Sequence, residues 1–326
     1  MSWYLRFKDV VRRALGTPPA APPSVSSVST GEDESSSLPL IPGVLKLRVG
    51  VISTVGNYRD HNEDNFYVPG RKSVRYDAPP EGSGEMETST LDPTNLFLVA
   101  DGMGGQQAGE QASLMAIQII PKGLGRRLSP GESDEKAIQK SVREAVAEAN
   151  QEILGLSATG SDFSSMGTTV VLALFRNDRV YVAGIGDSRA YRLRQGALEQ
   201  LTEDHSLADA LGKAGTITPA EVPNHKYKNV LYLYLGSKDA RGGPEEVRCL
   251  DVLPGDRFLM ASDGLTGVVG DDELARVLGT CPDPQHAARQ LKELALANQS
   301  KDNVTCLVIH VVGAGHGANS SSGLPA

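Results

Sequence analysis

Apolar residues fall along this chain in two rhythms. Short runs, apolar at every or every second position, recur at 49–55, 66–68, 97–100, 168–175, 179–185, 190–194, 246–252, 257–261 and 304–312, and these predict strands. Elsewhere the spacing is that of a helix face. Residues 106–120 predict one helix, which Pro121 should stop. Ser133 is placed to cap a second, with Asp134 and Glu135 in its first turn. There Ile138, Val142, Ala145, Val146, Ala149 and Ile153 make a single apolar stripe. Asp283-Pro284 opens a third, with Ala287, Leu291, Leu294 and Ala295 inward. Residues 202–243 are irregular and carry several helix signals. Most strand neighbours are hairpin-connected and the helical regions fall between strand groups. The expected class is therefore α+β, with mainly antiparallel sheets and helices packed outside them, and without internal repeats.

The flanks read differently. Residues 1–16 interleave Trp3, Leu5, Phe7, Val10, Val11 and Leu15 with Arg6, Lys8, Arg12 and Arg13. That is an amphipathic segment suited to weak contact with anionic lipid or a partner, or else a frayed or packed helix end. Residues 17–44 are a Pro/Ser-rich linker, 45–312 the domain, and 313–326 a Gly/Ser tail expected to be disordered. Residues 71–94 form a polar insertion, either a docking loop or a disordered one.

Composition narrows the classes. At 326 residues and 40% apolar, the chain can bury one large core or two small ones. A net charge of -8 opposes nucleic-acid binding. No stretch reaches the roughly 18 uninterrupted apolar residues of a membrane helix, and no apolar run with a cleavage site marks a signal peptide. Cys249, Cys281 and Cys306 are too few and too scattered for a disulfide framework or a thiolate metal site. They read as buried hydrophobes in a reducing compartment, and the expected location is cytoplasmic, with peripheral membrane contact through residues 1–16 as an option.

The chemistry sits at strand ends. Asp101, Asp187 and Asp263 each follow an apolar run, and Asp302 precedes the last one. Singly, an Asp-Gly pair reads as a turn. Recurring at several strand ends, the acids read as an oxygen-donor site for Mg²⁺ or Mn²⁺. Asp101 is the bridging candidate, Gly102 can offer its carbonyl, and Asp263 and Asp302 add carboxylates. Two cations about 3.5–4 Å apart can share and acidify a water. Asp187 with Asp263 can form a third site, or Asp187 can close its own turn. Arg59 presents a fork suited to phosphate, its alternative being an ion pair with Asp60 or Asp64. Glu63 and Asp64 point to opposite faces of an extended backbone, so they are expected to hold metal waters or orient Arg59.

Arg59-x-x-Asn62-Glu63-Asp64, Asp101-Gly102-Met103-Gly104-Gly105, Gly167-Thr168-Thr169, Gly186-Asp187-Ser188-Arg189, Ser262-Asp263-Gly264-Leu265 and Asp302-Asn303-x-Thr305 occur in this order. Over about residues 47–312 the series resembles the metal-dependent Ser/Thr protein phosphatases, the PPM or type 2C family, in its bacterial branch. The resemblance implies a four-layer α-β-β-α sandwich with two Mn²⁺ or Mg²⁺ ions per domain and a third-metal site. It carries the bridging role to Asp101, a carbonyl ligand to Gly102, further ligands to Asp263 and Asp302, the third site to Asp187 with Asp263, and phosphate binding to Arg59. Its substrates would be phosphoserine and phosphothreonine in proteins, the products of a Ser/Thr kinase. The alternatives are a catalytically silent binding protein on the same fold, and a hydrolase of small phosphoesters. Met103 stands where animal relatives carry a His, which leaves a metal-bound water, His61 and His205 as proton donors. Residues 206–236 resemble the family's flap, but Leu231–Gly236 lacks the Arg that many bacterial relatives place there.

Overall fold

Alternation along the strands sorts the apolar side chains into three layers of core. In the computed structural model, the described residues are 46–69, 95–159, 163, 166–176 and 178–313. The expectations for residues 1–16, for the linker, for the insertion at 71–94 and for the tail from 314 onward lie outside them. In chain order come β1 (Lys46–Thr54), β2 (Asn65–Tyr67), β3 (Leu96–Ala100), β4 (Gly102–Met103), α1 (Gln106–Arg127) and α2 (Glu135–Ser157). Then follow β5 (Gly167–Thr168), β6 (Val170–Arg176), β7 (Arg179–Ile185), β8 (Arg189–Arg194), β9 (Ala197–Gln200) and α3 (Leu207–Lys213). The chain ends with β10 (Arg248–Asp251), β11 (Arg257–Ala261), α4 (Asp263–Thr266), α5 (Asp271–Thr280), α6 (Pro284–Ala297) and β12 (Val304–Val312).

Two five-stranded sheets form, ordered β1-β12-β11-β8-β9 and β10-β7-β6-β3-β2, with antiparallel pairing throughout. In β3, Phe97 and Val99 face the other sheet, where they meet Phe258, Met260, Leu307 and Ile309. Leu96, Leu98 and Ala100 face outward onto Ala112, Ala116, Ile120 of α1 and Val142, Val146, Ala149 of α2. In β12, Val304, Cys306 and Val308 face outward onto Leu274 and Val277 of α5 and Ala287 and Leu291 of α6. Strands buried on both faces have no polar side, which is why β12 reads as a continuous apolar run. The layers are helix, sheet, sheet, helix, as expected.

Several boundaries differ from the expectations, each for a local reason. Pro121 lies inside α1 and does not end it. The proline removes one backbone donor, but Leu124 and Leu128 beyond it are buried in the core, and Gly123 lets Ala145 of α2 approach. Burial of two leucines, about 1.5–3 kcal/mol each, matches a proline cost of about 3 kcal/mol. The cap of α2 is Asp134, whose side chain accepts from the Lys136 N–H, rather than Ser133. The predicted strand 168–175 breaks at Thr169, whose N–H leaves the ladder to donate to the Asp101 carbonyl at 2.8 Å. The N-terminal cap and face of α6 are as expected, with the Asp283 side chain accepting from the His286 N–H.

Register decides what meets at the sheet edge. The end of β11 lies beside the start of β12, with Ala261 opposite Cys306. Thr54, the last residue of β1, faces Val304. In the second sheet Asn65 faces Ala100, and Ile185 faces Val170. The turns carrying Arg59, Glu63, Asp101, Asp187, Asp263 and Asp302 therefore open at one edge of the sandwich.

Candidate metal centre

One cleft of about 430 Å³ is lined by Asp101, Asp187, Asp263, Asp302, Arg59 and Glu63, together with Gly102. Five expected acids and the expected cation thus meet; Asp64 is buried behind them.

The backbone under each acid is clamped. Asp101 donates its N–H to Thr169 Oγ1 at 3.0 Å, and its carbonyl accepts from Thr168 Oγ1 at 2.8 Å. Thr169 Oγ1 also meets Ser188 Oγ at 2.6 Å, which couples the Asp101 turn to the Asp187 turn. Gly102 lies so close to α1 that a Cβ there would sit 2.2 Å from the Gly109 carbonyl oxygen. Gly264 meets the same demand, since its Cβ would lie 1.9 Å from the Asn303 oxygen. Such contacts are open only to glycine. They draw the Asp263 turn against the Asp302 loop.

Ser262 and Asn303 tie these loops together. Ser262 Oγ donates to Asp64 Oδ2 at 2.8 Å and accepts the Thr305 N–H at 3.0 Å. Asn303 Oδ1 accepts the Glu63 N–H at 2.9 Å, while its Nδ2 donates to the Val55 and His61 carbonyls. Sequence reasoning missed these two as organisers; their only signal was adjacency to Asp263 and Asp302. Glu63 and Asp64 diverge as the extended backbone requires, Glu63 to the cleft and Asp64 beneath Ser262. Neither orients Arg59 through a hydrogen bond. Arg59 instead donates to Asp302 Oδ2 at 2.6 Å, not to Asp60 or Asp64, because the Asn303 bonds to the Val55 and His61 carbonyls hold its loop against the Asp302 turn.

Asp187 projects between this cleft and a second of about 460 Å³, which it shares with Asp263. Its turn is braced from below. Arg189 Nε lies 2.9 Å from both Asp204 carboxylate oxygens, Nη2 donates to Asp204 Oδ2 at 2.6 Å, and Nη1 reaches the Tyr191 hydroxyl at 3.1 Å. His205 also braces it, with Nδ1 3.1 Å from Gly186 N and O and its ring edge-on to Tyr232. It lines a separate cavity of about 160 Å³. His61 is exposed, and neither His lines the acidic cleft.

The electrostatics are those of crowded like charges. Burial, then the charges of Asp64, Asp263, Asp187 and Asp302, holds the Asp101 carboxyl well above the carboxylate range. Burial and Asp263 do the same to Asp187. Burial and Asp302 push Asp263 to about 6. Burial pushes Asp64 to about 7 against the hydrogen bonds of Thr305 and Ser262. Asp263 Oδ1 is buried without a hydrogen-bond partner. Such a set needs protons or cations to neutralise it, and an all-oxygen set suits hard divalent ions. Among the described residues no three His, Cys, Asp or Glu side chains close into a ready-made cage; the carboxylates line walls of an open cleft. In donor type, charge and the unsatisfied oxygen, the residues fit a metal centre.

Comparison with known proteins bears on the family. The sequence profile of the family described as Protein phosphatase 2C matches residues 85–295. The chain is 33% identical over 257 residues to the serine/threonine phosphatase stp of Listeria monocytogenes, covering 78% of this chain and 92% of that protein. The crystal structure of the Mycobacterium tuberculosis serine/threonine phosphatase PstP/Ppp superposes with a TM-score of 0.67 at 30% identity, covering 82% of this chain and all of that one. A PstP catalytic domain in complex with two manganese ions superposes at 0.64 with 31% identity, covering 82% and 99% of the two chains.

Proposed function

The chain belongs to the protein phosphatase 2C family, and on that premise we propose that its acidic cleft hydrolyses phosphoserine and phosphothreonine in proteins. The observation that carries this reading is the meeting of Asp101, Asp263, Asp302 and Asp187 with Arg59 in one cleft. All the carboxylates are present, so nothing favours the silent alternative.

We assign two cations, Mn²⁺ or Mg²⁺, to Asp101, the Gly102 carbonyl, Asp263 and Asp302, and a third to Asp187 with Asp263. Bound there, divalent cations supply Lewis acidity and a water of lowered pKa. Arg59 grips two phosphoryl oxygens with its fork and stays charged at every working pH. Thr168, Thr169, Ser262 and Asn303 hold the acids at fixed spacing, so the site reorganises little when charge develops on phosphorus. Asp64 keeps Ser262 in place. Glu63, on the cleft wall, is available to solvent molecules there. Among the described residues no Cys, Ser or His lines the cleft, and the Thr169 hydroxyl is already bonded on both sides. Water therefore attacks phosphorus directly, without a covalent phosphoenzyme. Substrates are phosphoproteins made by a Ser/Thr kinase. Among the described residues no helix is long and apolar enough to cross a membrane. We place the domain in the cytoplasm, with residues 1–16 available for a weak surface contact.

The test is phosphate release from a phosphothreonine peptide in EDTA and in Mn²⁺, for wild type and Asp302→Ala, with Mn²⁺ binding measured by calorimetry. Release that depends on Mn²⁺ and falls at least a hundredfold in the variant is expected, with weaker support from Ca²⁺. Full release in EDTA, or full activity in Asp302→Ala, would falsify the assignment.

A further inference from the structure

Three polar side chains around the acidic cleft are committed to another residue. Thr169 and Asn303 are bonded as described, and Arg59 is on Asp302. Tyr234 is different. It lines the same cleft as Asp101 and Asp263, half-buried, and its hydroxyl makes no hydrogen bond among the described residues.

The ring is held firmly. A Cβ on Gly167 would lie 2.6 Å from Tyr234 Cδ2 and 2.8 Å from Cε2, so the ring rests on the bare glycine backbone. Gly167 is itself paired with Met103, two residues beyond Asp101. On the following residue, Leu235 exchanges both backbone bonds with Thr168, at 2.8 and 3.0 Å. Gly236 then donates its N–H to buried Asn150 Oδ1 at 2.7 Å, and Asn150 Nδ2 donates to the Ser237 carbonyl at 3.1 Å. The end of the segment on the cleft wall is thus nailed to β5 and α2, and the Tyr234 ring rests on β5, the partner of the short strand that follows Asp101. A rigid donor beside the reacting centre is what catalysis by hydrogen bonding requires.

We propose that Tyr234 is a catalytic residue, whose hydroxyl donates to the ester oxygen of the phosphorylated side chain. This rests on the hydrolase reading above. As the P–O bond breaks, its electron pair goes to the ester oxygen, and the Tyr234 proton follows to give the free alcohol. The water that adds to phosphorus loses one proton to solvent, and the phenolate recovers one from solvent. Alkyl esters of Ser and Thr depend on this donation because an alkoxide is a poor leaving group. An aryl ester whose phenol ionises near neutrality depends on it far less. Met103 carries no proton to give, and the rings of His61 and His205 lie off the cleft.

The experiment compares wild type with Tyr234→Phe, which keeps the ring on Gly167, on a phosphothreonine peptide and on 4-nitrophenyl phosphate. Equal melting temperatures and equal Mn²⁺ binding establish that the variant is intact. We expect kcat on the peptide to fall at least tenfold more than kcat on the aryl ester, with KM little changed. A peptide rate left unchanged, or equal falls on both esters, overturns the proposal while leaving the phosphatase reading standing. A wild type inactive on both esters removes the hydrolase reading itself, and this inference with it.

Discussion

Asp263→Asn should make the metal-free protein more stable. Asp263 keeps its proton until about pH 6, against an ordinary 3.8, because burial and then Asp302 disfavour its charge. Below pH 3.8 the folded and unfolded chains both carry that proton and nothing is lost. Between 3.8 and 6 the unfolded chain ionises first, so stability drains from the fold as pH rises. Above 6 the full cost stands, about two pH units at about 1.4 kcal/mol each, or about 3 kcal/mol as a ceiling. Asparagine removes the charge, keeps the shape, and can donate to the neighbouring Asp101 carboxyl. In EDTA at pH 8, thermal melting should rise by up to about 5–10 °C for a domain of this size. At pH 4.5 the gain should shrink to about a third. Mn²⁺ at a thousand times Kd should reverse the order, since about 4.1 kcal/mol then accrues to wild type and the variant lacks a carboxylate assigned above to the cations. An Asn variant that melts below wild type in EDTA at pH 8, or a gap that ignores pH, refutes the reasoning.

Gly264→Ala drives a methyl to within 1.9 Å of the Asn303 carbonyl oxygen, so the Asp263 and Asp302 loops must part. Urea titration should show a loss of about 1–3 kcal/mol, and calorimetry weaker Mn²⁺ binding. Asn303→Ala cuts three hydrogen bonds to the Arg59 loop; a cost of about 2–4 kcal/mol is expected, with a raised KM for phosphopeptide that Asn303→Asp does not fully restore. His310 is buried between Arg48 and Arg257 on neighbouring strands, and burial followed by those two charges lowers it to about 4. The unfolded chain therefore takes up this proton first as pH falls from 6.5 to 4, and stability should drop by up to about 1.4 kcal/mol per pH unit there. His310→Gln should flatten that slope in urea titrations run at stepped pH, and an unchanged slope would count against the burial argument.

Much of this was legible in the residues. The near-continuous apolar runs at Leu96–Ala100 and in β12 already ask for cover on both sides, because a strand has only two faces and neither is polar. The acids at strand ends were legible for the same reason: an Asp that interrupts an apolar run must leave the core at the sheet edge. What sequence could not supply were long-range compensations. Pro121 looks like a stop until Leu124 and Leu128 are seen buried beyond it. Thr169 looks like mid-strand until the Asp101 carbonyl claims its N–H. Arg59 has two acids nearby in sequence, yet Asp302, 243 positions away, is its partner. The strand β9 and the helices α4 and α5 also went unread. Of these, α4 is only four residues long, and its place is set by Ser262 and Gly264 meeting β12.

The same long-range bonds explain how the fold tolerates its own charges. Left alone, Asp101, Asp187, Asp263 and Asp302 would move apart, because like charges in a buried site repel and water is the better solvent for each. They are prevented from doing so at the backbone, not at the carboxylates. Thr168 and Thr169 grip Asp101, Ser188 ties that grip to the Asp187 turn, and Ser262 and Asn303 bind the Asp263 and Asp302 loops to each other. The carboxylates can then change charge without changing place. Neutralisation by protons at low pH and by cations near neutrality are alternative answers to one repulsion, so proton release should accompany metal binding. A cleft built this way holds its geometry ready before any ion arrives, and the stability it gives up is returned on loading.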